Sequence, residues 1–153
     1  MEISHATASD FDAWISLARE VEHLFGPMAD DNSFQEALKQ AISDGTAFCA
    51  RSEKNEHDRI LKGGIVISRE ANEIAWFVVA GTSRGKGYGK ALLDFAINRL
   101  NIHEPMVVRT FDSSVAEGQA ARKLYGKFGF TDHEKGEMNP AGVPTVIMQR
   151  PGS

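Results

Sequence analysis

Residues 74–90 read IAWFVVAGTSRGKGYGK, and this stretch decides the fold. The first seven residues are almost continuously apolar, which is typical of a strand that is covered on both faces and central in its sheet. A glycine-rich loop follows and leads directly into a helix predicted over residues 90–100. Backbone amides of such a loop converge at the N-terminus of the helix, so the stretch predicts an anion-binding site.

The charges of the loop support an anion site. Residues 74–93 contain no aspartate or glutamate, whereas Arg84, Lys86 and Lys90 are cationic. Glycines favour such a site because they reach positive φ at low cost and let the backbone approach an anion closely. A solvated basic turn without a ligand is the alternative interpretation of the same residues.

Two common phosphate-binding motifs do not fit the loop. A Walker A motif would place its first glycine at Ala80 and its Mg²⁺-binding Ser or Thr at Gly87. A dinucleotide-binding motif would need its third glycine at Lys90. The spacing that does fit is R-x-x-G-x-G, formed by Arg84, Gly87 and Gly89.

The rest of the chain predicts one α/β domain over residues 1–153, because no repeat or proline-rich linker divides it. The predicted strands cover residues 3–6, 46–51, 63–68, 74–80, 106–111 and 143–149. The predicted helices lie between Asp10, which would cap the first, and Gly26; between the polar residues 30–33 and Gly45; and over 90–100 and 117–128. Residues 52–59 are predicted to form an exposed loop. The strand, loop, helix and strand over residues 74–111 form a βαβ unit.

The composition is that of an ordinary soluble domain, with 42% hydrophobic residues, 25% charged residues and a net charge of -4. No apolar run is long enough for a membrane span and the start lacks a signal peptide, so we expect a cytoplasmic protein without a membrane partner. The five histidines are scattered and Cys49 lies in an apolar strand, so we expect no metal site and an inert thiol. The acidic balance weighs against a nucleic-acid partner.

Two motifs carry a resemblance to a known family. Residues 79–93 resemble the acetyl-CoA motif of the GNAT family of N-acetyltransferases, which reads [RQ]-x-x-G-x-G/A between a strand and a helix. Residues 120–130, AARKLYGKFGF, are similar to the late helix of that family, which ends in Leu-Tyr and is followed by Gly-Phe. The order of predicted elements matches over essentially the whole chain. The resemblance implies a single GNAT-type α/β domain, with a central mixed twisted sheet of about six to seven strands flanked by about four helices.

The resemblance further implies acetyl-CoA as cosubstrate and no metal. The pyrophosphate would be bound by a loop that Arg84 begins and by the backbone amides of Gly85, Lys86, Gly87, Tyr88, Gly89 and Lys90. The pantetheine would be lined by Phe77, Val78 and Val79, on a strand that splays from residues 106–111. The Val79 amide would stabilise the negative charge that develops on the thioester carbonyl oxygen.

The implied acceptor is a primary amine, which needs a route for its proton. Glu73, eleven residues before Arg84, stands where one branch of the family carries its general base. Asp112 and His23 are the alternatives, and Glu73 is otherwise a solvated charge at the start of a strand. Tyr125 occupies the position from which relatives protonate the departing thiolate, and it is otherwise a packed helix residue.

Several questions stay open at this stage. Gly118 replaces an asparagine that contacts the cofactor in many relatives, so that contact is missing or supplied by Gln119. Residues 21–28 form either a wall for the acceptor or a hydrophobic turn. The acceptor is a small amine, an amino acid, or a peptide or protein amine. The alternatives to an enzyme are a non-catalytic acyl-CoA-binding module and, more remotely, a nucleotide-phosphate binder. Relatives dimerise through late strands, so residues 143–148 are a candidate free edge for a homodimer.

Overall fold

One mixed sheet organises the computed structural model, which describes residues 2–51 and 60–153. In chain order its strands are β1 (Glu2–His5), β2 (Ala47–Arg51), β3 (Gly63–Ser68), β4 (Glu73–Val79), β5 (Met106–Phe111), β6 (Thr131–Lys135) and β7 (Thr145–Arg150). Their order across the sheet is β1-β2-β3-β4-β5-β7-β6. Only the β4/β5 pair is parallel, and the other neighbours are antiparallel. The predicted central position of β4 is confirmed, since three strands lie on each side of it.

Helices cover both faces of the sheet. Those described are α1 (Phe11–Glu20), α2 (Glu22–Phe25), α3 (Asn32–Asp44), α4 (Tyr88–Ile97) and α5 (Gln119–Lys127). The buried side chains of α1 and α3 form one apolar cluster with β2 and Val78 of β4. The buried side chains of α4 and α5 form a second cluster with β3, β5 and β7 on the opposite face. We call these faces the α1/α3 face and the α4/α5 face.

The predicted ends of α3 are confirmed in atomic detail. The Asp31 carboxylate accepts a hydrogen bond from Ser33 N at 3.0 Å and caps the helix. Gly45 adopts a left-handed conformation at φ 73° and ends it. Both the N-cap residue and the C-terminal glycine lie next to the helix in the sequence, which is why the sequence alone predicts where α3 begins and ends.

The first predicted helix is divided in two, and Asp10 occupies its N-cap position as predicted, but the Asp10 side chain makes no cap hydrogen bond. The helix ends at Glu20, and the single turn α2 follows after Val21. The Asp10 carboxylate instead accepts hydrogen bonds from both terminal nitrogens of Arg51 at 2.8 and 2.7 Å and from Thr7 N at 2.8 Å. Because its oxygens are occupied by a guanidinium from β2, they are not available to the first turn of α1.

The late strands differ from prediction in one respect. The hypothesis that residues 143–148 form a free edge is wrong, because β7 pairs with β5 on one side and with β6 on the other. The strand at this edge of the sheet is β6, which the sequence pattern did not locate. All five of its residues are exposed, so it lacks the alternation of buried and exposed residues by which strands are recognised. The loop predicted at residues 52–59 lies outside the described residues.

Candidate active site

A gap between β4 and β5 lies at the centre of the sheet. The two strands pair only at Glu73 with Val107 and at Ile74 with Val108. Along β3, Val66 pairs with Trp76 and Ile67 with Ile74, which leaves Ala75 as an extra residue in β4. Such a bulge bends a strand, and pairing with β5 ends at this point. The strand predicted to be covered on both faces is therefore fully buried only at Ile74 and Val78.

The register of β4 points free backbone groups into this gap. Ala80 N donates to Lys62 O at 2.9 Å, on the β3 side. Because backbone groups alternate between the two sides of a strand, the N–H groups of Val79 and Phe77 point toward β5. The side chains of Phe77 and Val79 lie on the α4/α5 face, whereas that of Val78 is buried on the α1/α3 face. Two of the three predicted pantetheine-lining side chains therefore share one face.

The glycine-rich loop joins the end of β4 to α4. Gly85 and Gly87 have φ values of 77° and 89°, a region that favours glycine, and Gly87 directly precedes the helix. Arg84, Lys86 and Lys90 are exposed around the loop. Because the first amides of a helix have no partner within it, this arrangement provides hydrogen-bond donors and positive charge for a phosphate group.

Close packing holds the start of α4 against β4. A Cβ atom on Gly89 would lie 3.3 Å from Leu124 Cδ2, 3.4 Å from Val79 Cγ2 and 3.5 Å from Phe77 Cζ. A larger residue at position 89 would push the helix away from the strand or fill the space beside the gap. The side chain of Arg84 turns back along the loop, where its Nε lies 3.4 Å from Val79 O.

Tyr125 lies on the α4/α5 face beside the gap. It is 3% exposed, and its ring contacts those of Phe77 and Phe130 at centroid distances of 6.0 and 5.8 Å. Burial raises the pKa of its phenol well above the usual value. Within residues 2–51 and 60–153, its hydroxyl makes no hydrogen bond. A neutral phenol held in this way is suited to giving a proton to an anion that forms next to Phe77.

The three candidate bases lie in different surroundings. Glu73 is partly exposed, and because Ile74 is buried on the α4/α5 face, alternation places Glu73 on the α1/α3 face. His23 is exposed on α2. Asp112 accepts hydrogen bonds from the hydroxyl and the amide of Ser114, which lower its pKa and commit it to the turn after β5. Asp112 is therefore poorly suited to take a proton from an amine.

The structure explains the missing asparagine at position 118. A Cβ atom on Gly118 would lie 2.7 Å from Phe111 Cβ, so only glycine fits the turn before α5. The side-chain Nε2 of Gln119 donates to Ser113 O at 2.8 Å and to Val115 O at 3.1 Å. Gln119 is thus held by the turn and does not take over the missing contact in this conformation.

Helix α2 and the loop between β6 and β7 form a wall at the end of β5, and sequence reasoning did not predict that these two segments join. The ring of Phe25 in α2 contacts that of Phe111 at 5.0 Å. The loop between β6 and β7, residues 136–144, joins α2 through a hydrogen bond from Asn139 Nδ2 to Leu24 O at 2.7 Å. The Asn139-Pro140 pair is a turn signal in the sequence, but nothing local indicates that the turn docks on α2.

The family model of the acetyltransferase (GNAT) domain matches residues 18–150. The chain belongs to the GNAT family. No curated protein matches the sequence. Solved structures share the fold at low identity, which shows the fold alone.

Three of these neighbours illustrate the range of the fold. The ribosomal-protein-alanine N-acetyltransferase from Brucella melitensis is 19% identical, with a TM-score of 0.74 over 98% of this chain and 99% of that one. The phosphinothricin acetyltransferase from Sinorhizobium meliloti, in complex with AcCoA, is 20% identical, with a TM-score of 0.71 over 99% and 88%. The NatC complex bound to Gag peptide and CoA matches at 19% identity, with a TM-score of 0.73 over the full length of both chains.

Three further observations concern metals, membranes and Cys49. The described part of this GNAT domain has no group of three or more His, Cys, Asp or Glu side chains placed to hold a metal ion. Among the helices within residues 2–51 and 60–153, none combines the length and apolarity that crossing a membrane requires. Burial raises the pKa of the Cys49 thiol to about 11, which is consistent with an inert packed cysteine.

Proposed function

We propose that this GNAT domain transfers an acetyl group from acetyl-CoA to a primary amine by direct attack in a ternary complex. The observation that carries the proposal is that three features lie along β4: the loop before α4, the stretch of β4 that does not pair with β5, and Tyr125, whose ring contacts Phe77. A ligand with an anionic end and a long amide-containing arm would use the amides of the loop and the free backbone groups of β4.

The residues present fit acetyl-CoA. The amides of residues 85–90 and the cations Arg84, Lys86 and Lys90 would hold the pyrophosphate. The backbone N–H groups of Phe77 and Val79 face the gap and would pair with the amides of the pantetheine, as in a sheet. When bound, the cosubstrate supplies an activated acetyl group as a thioester.

Two backbone amides are candidates for stabilising charge on the thioester oxygen. The Val79 amide is the donor that the family resemblance implies. The Phe77 amide points to the same side of β4, and its ring contacts Tyr125. If Tyr125 protonates the sulfur, the thioester lies near Phe77, and the Phe77 amide is then the nearer donor.

Proton transfer divides between two residues on opposite faces of the sheet. Glu73, on the α1/α3 face, takes the proton of the amine directly or through water, and the amine nitrogen then attacks the carbonyl carbon. As the C–S bond breaks, the Tyr125 hydroxyl gives its proton to the sulfur and coenzyme A leaves as a thiol. The second proton of the nitrogen returns through water to the phenoxide of Tyr125 and restores the phenol. The products are an N-acetylated amine and free coenzyme A, and Glu73 passes the first proton to solvent.

The acceptor is an amine of a small molecule, an amino acid, or a peptide or protein. The structural neighbours are named for different acceptors, a ribosomal-protein alanine in one case and phosphinothricin in another. They therefore do not single out one class for this chain. Self-association, where it occurs, would use a surface other than β7, because both edges of β7 are already paired.

A second candidate function is that of a non-catalytic acyl-CoA-binding module. The observation that favours it is the turn before α5, where Gly118 replaces the expected asparagine and Gln119 is committed to other partners. Such a module needs no proton donor, whereas Tyr125 is retained.

The experiment that tests the proposal measures thiol release from acetyl-CoA against a panel of small amines, amino acids and peptides. Amine-dependent release by the wild-type protein, with kcat reduced at least tenfold in Glu73→Gln and unchanged in the edge-strand variant Glu134→Gln, supports the proposed roles. Release that Glu73→Gln leaves unchanged contradicts the assignment of the base. Saturable binding of acetyl-CoA without release for any amine favours the second function.

A further inference from the structure

Arg109 is an exposed charged residue on an interior strand of the sheet. Its strand, β5, lies between β4 and β7, and four of the six residues of β5 are buried. Within residues 2–51 and 60–153, the guanidinium of Arg109 has no ion pair and no hydrogen bond. Its five N–H donors are therefore available to solvent or to a ligand.

Alternation places Arg109 on the α1/α3 face. Met106 and Val108 are buried in the cluster on the α4/α5 face, so Arg109 points to the other side of β5. Its partner in β7, Ile147, agrees, because the residues on either side of Ile147 belong to the same α4/α5 cluster. The apolar cluster on the α1/α3 face takes its strand side chains from β2, β3 and β4. Arg109 therefore lies beyond the edge of that cluster, across the gap from β4.

The register places Arg109 near the proposed position of the thioester. Ile74 pairs with Val108, and Phe77 lies three residues further along β4, one of which is the extra residue of the bulge. Two residues along β5 therefore reach the level of Phe77, and Arg109 is one residue short of it, about 3.3 Å along the strand. The Phe77 amide is a candidate donor to the thioester oxygen. A group bound to Arg109 would thus lie close to the acetyl group.

Glu73 provides the opposite charge on the same face. It is the partner of Val107, two residues before Arg109. A strand spacing of about 4.8 Å and a rise of about 3.3 Å per residue put the Cα atoms of Glu73 and Arg109 roughly 8 Å apart. In the part of the chain that the structure describes, the two side chains form no ion pair with each other. A carboxylate and a guanidinium placed in this way complement a molecule that carries both an amine and a carboxylate.

We propose that the acceptor is an α-amino acid, whose carboxylate binds Arg109 while its amine faces Glu73 and the acetyl group. A guanidinium binds a carboxylate through two parallel hydrogen bonds, so Arg109 would orient the amine as well as select the molecule. The two groups of an α-amino acid are only a few atoms apart, which matches the short offset between Arg109 and Phe77. Arg109 is a specificity residue and moves no proton. The inference rests on the proposed acetyl transfer, because it names the substrate class of that reaction.

Pairs of acceptors that differ only in the carboxylate provide the first part of the test. The twenty L-amino acids and their carboxamides are compared in the thiol-release assay, together with short peptides. Each carboxamide keeps the amine and the side chain of its amino acid but lacks the negative charge. We expect the wild type to use at least one amino acid with a kcat/KM at least tenfold above that of its carboxamide.

Substitution of Arg109 provides the second part. In Arg109→Gln, kcat/KM for the preferred amino acid should fall about 10- to 100-fold, the factor that corresponds to a hydrogen bond with a charged group. The kcat/KM for its carboxamide and the Kd for acetyl-CoA should stay within twofold of wild type. Arg109→Lys should lose less, because it keeps the charge without the paired donors. Arg69→Gln is the matched control, since it removes the same charge from an exposed arginine in the turn between β3 and β4.

Three results overturn the inference. The first is a wild type that acetylates carboxamides or peptide N-termini as well as it acetylates amino acids. The second is an Arg109→Gln variant that loses both members of a pair equally or loses neither. The third is a loss of the same size in Arg69→Gln. If Arg109→Gln does not fold, the preference of the wild type and of Arg109→Lys decides by the same criteria. Absence of thiol release with every amine would instead contradict the proposed function, so the two failures are distinguishable.

Discussion

Replacement of Tyr125 by phenylalanine separates the catalytic role of its hydroxyl from the structural role of its ring. The ring fills the space between Phe77 and Phe130, and phenylalanine keeps both contacts. The hydroxyl makes no hydrogen bond within the described residues, so its removal leaves no partner unsatisfied. The free energy of unfolding at pH 7 should therefore change by less than about 1 kcal/mol.

The rate effect should be much larger than the stability effect. A positioned general acid contributes about 10²- to 10⁴-fold, and a thiolate is already a fair leaving group, so we expect kcat to fall about 10²-fold in Tyr125→Phe. The Kd for acetyl-CoA should not change. Ser43→Ala, which removes a hydroxyl from the exposed side of α3, is the control for the assay. A kcat within threefold of wild type in Tyr125→Phe would refute the assignment of Tyr125 as proton donor.

The raised pKa of Tyr125 adds a test at alkaline pH. Below about pH 10 the phenol is protonated in both the folded and the unfolded chain, so its contribution to stability is fully present. As the pH rises further, the unfolded chain loses this proton while burial keeps it on the folded protein, and stability falls by about 1.4 kcal/mol per pH unit. Urea unfolding at pH 8 and 11 should show this loss in the wild type relative to Tyr125→Phe. Equal losses in both proteins would contradict the buried, neutral phenol.

Substitutions at three other positions test the packing and hydrogen bonds around the site. Asp10→Asn should lower the free energy of unfolding by about 3 kcal/mol at pH 7, because it leaves the guanidinium of Arg51 without a charged partner. Burial raises the pKa of Asp10, but hydrogen bonds and charge from Arg51 together lower it. This stabilisation is therefore present above about pH 4 and is lost as the pH falls below that value. Urea unfolding at pH 7 and 3 checks the sign, and an Asp10→Asn variant that is less stable than wild type by the same amount at both values would contradict it. Asn72→Ala should lower the free energy of unfolding by about 2 to 3 kcal/mol in thermal or urea unfolding, because the side chain holds the backbone of residues 101–105. Asn72→Gly should lower it less, because φ at this position is 52° and glycine adopts that value without strain. An Ala variant as stable as wild type would be evidence against this role. Gly89→Val should weaken acetyl-CoA binding at least tenfold in calorimetry, since even a Cβ atom there would lie 3.3 Å from Leu124, and an unchanged Kd would show that this space is not used.

The sequence predicted the elements whose determinants are local. The loop at residues 81–89 and the start of α4 follow from glycines and charges within one short stretch. The ends of α3 follow from Asp31 and Gly45. The central position of β4 follows from its apolar residues, although the bulge at Ala75, which ends the pairing with β5, has no signature in the sequence.

The elements that escaped prediction depend on distant partners. β6 is held by backbone hydrogen bonds to β7, and its exposed side chains carry no pattern. The carboxylate of Asp10 accepts hydrogen bonds from Arg51, 41 positions away, and not from the first turn of its own helix. The contact of Asn139 with Leu24 spans even more of the chain. For the same reason the sequence left three candidate bases, and only the turn built by Asp112 and Ser114 sets one of them apart.

The most direct test of the central claim is a calorimetric titration of the wild-type protein with acetyl-CoA, followed by thiol release on addition of an amine to the same sample. The account predicts saturable binding with one site per chain, no displacement by ATP at equal concentration, and release that depends on the amine. Absence of acetyl-CoA binding, or displacement by ATP, would contradict the assignment of the loop before α4 and of the gap between β4 and β5.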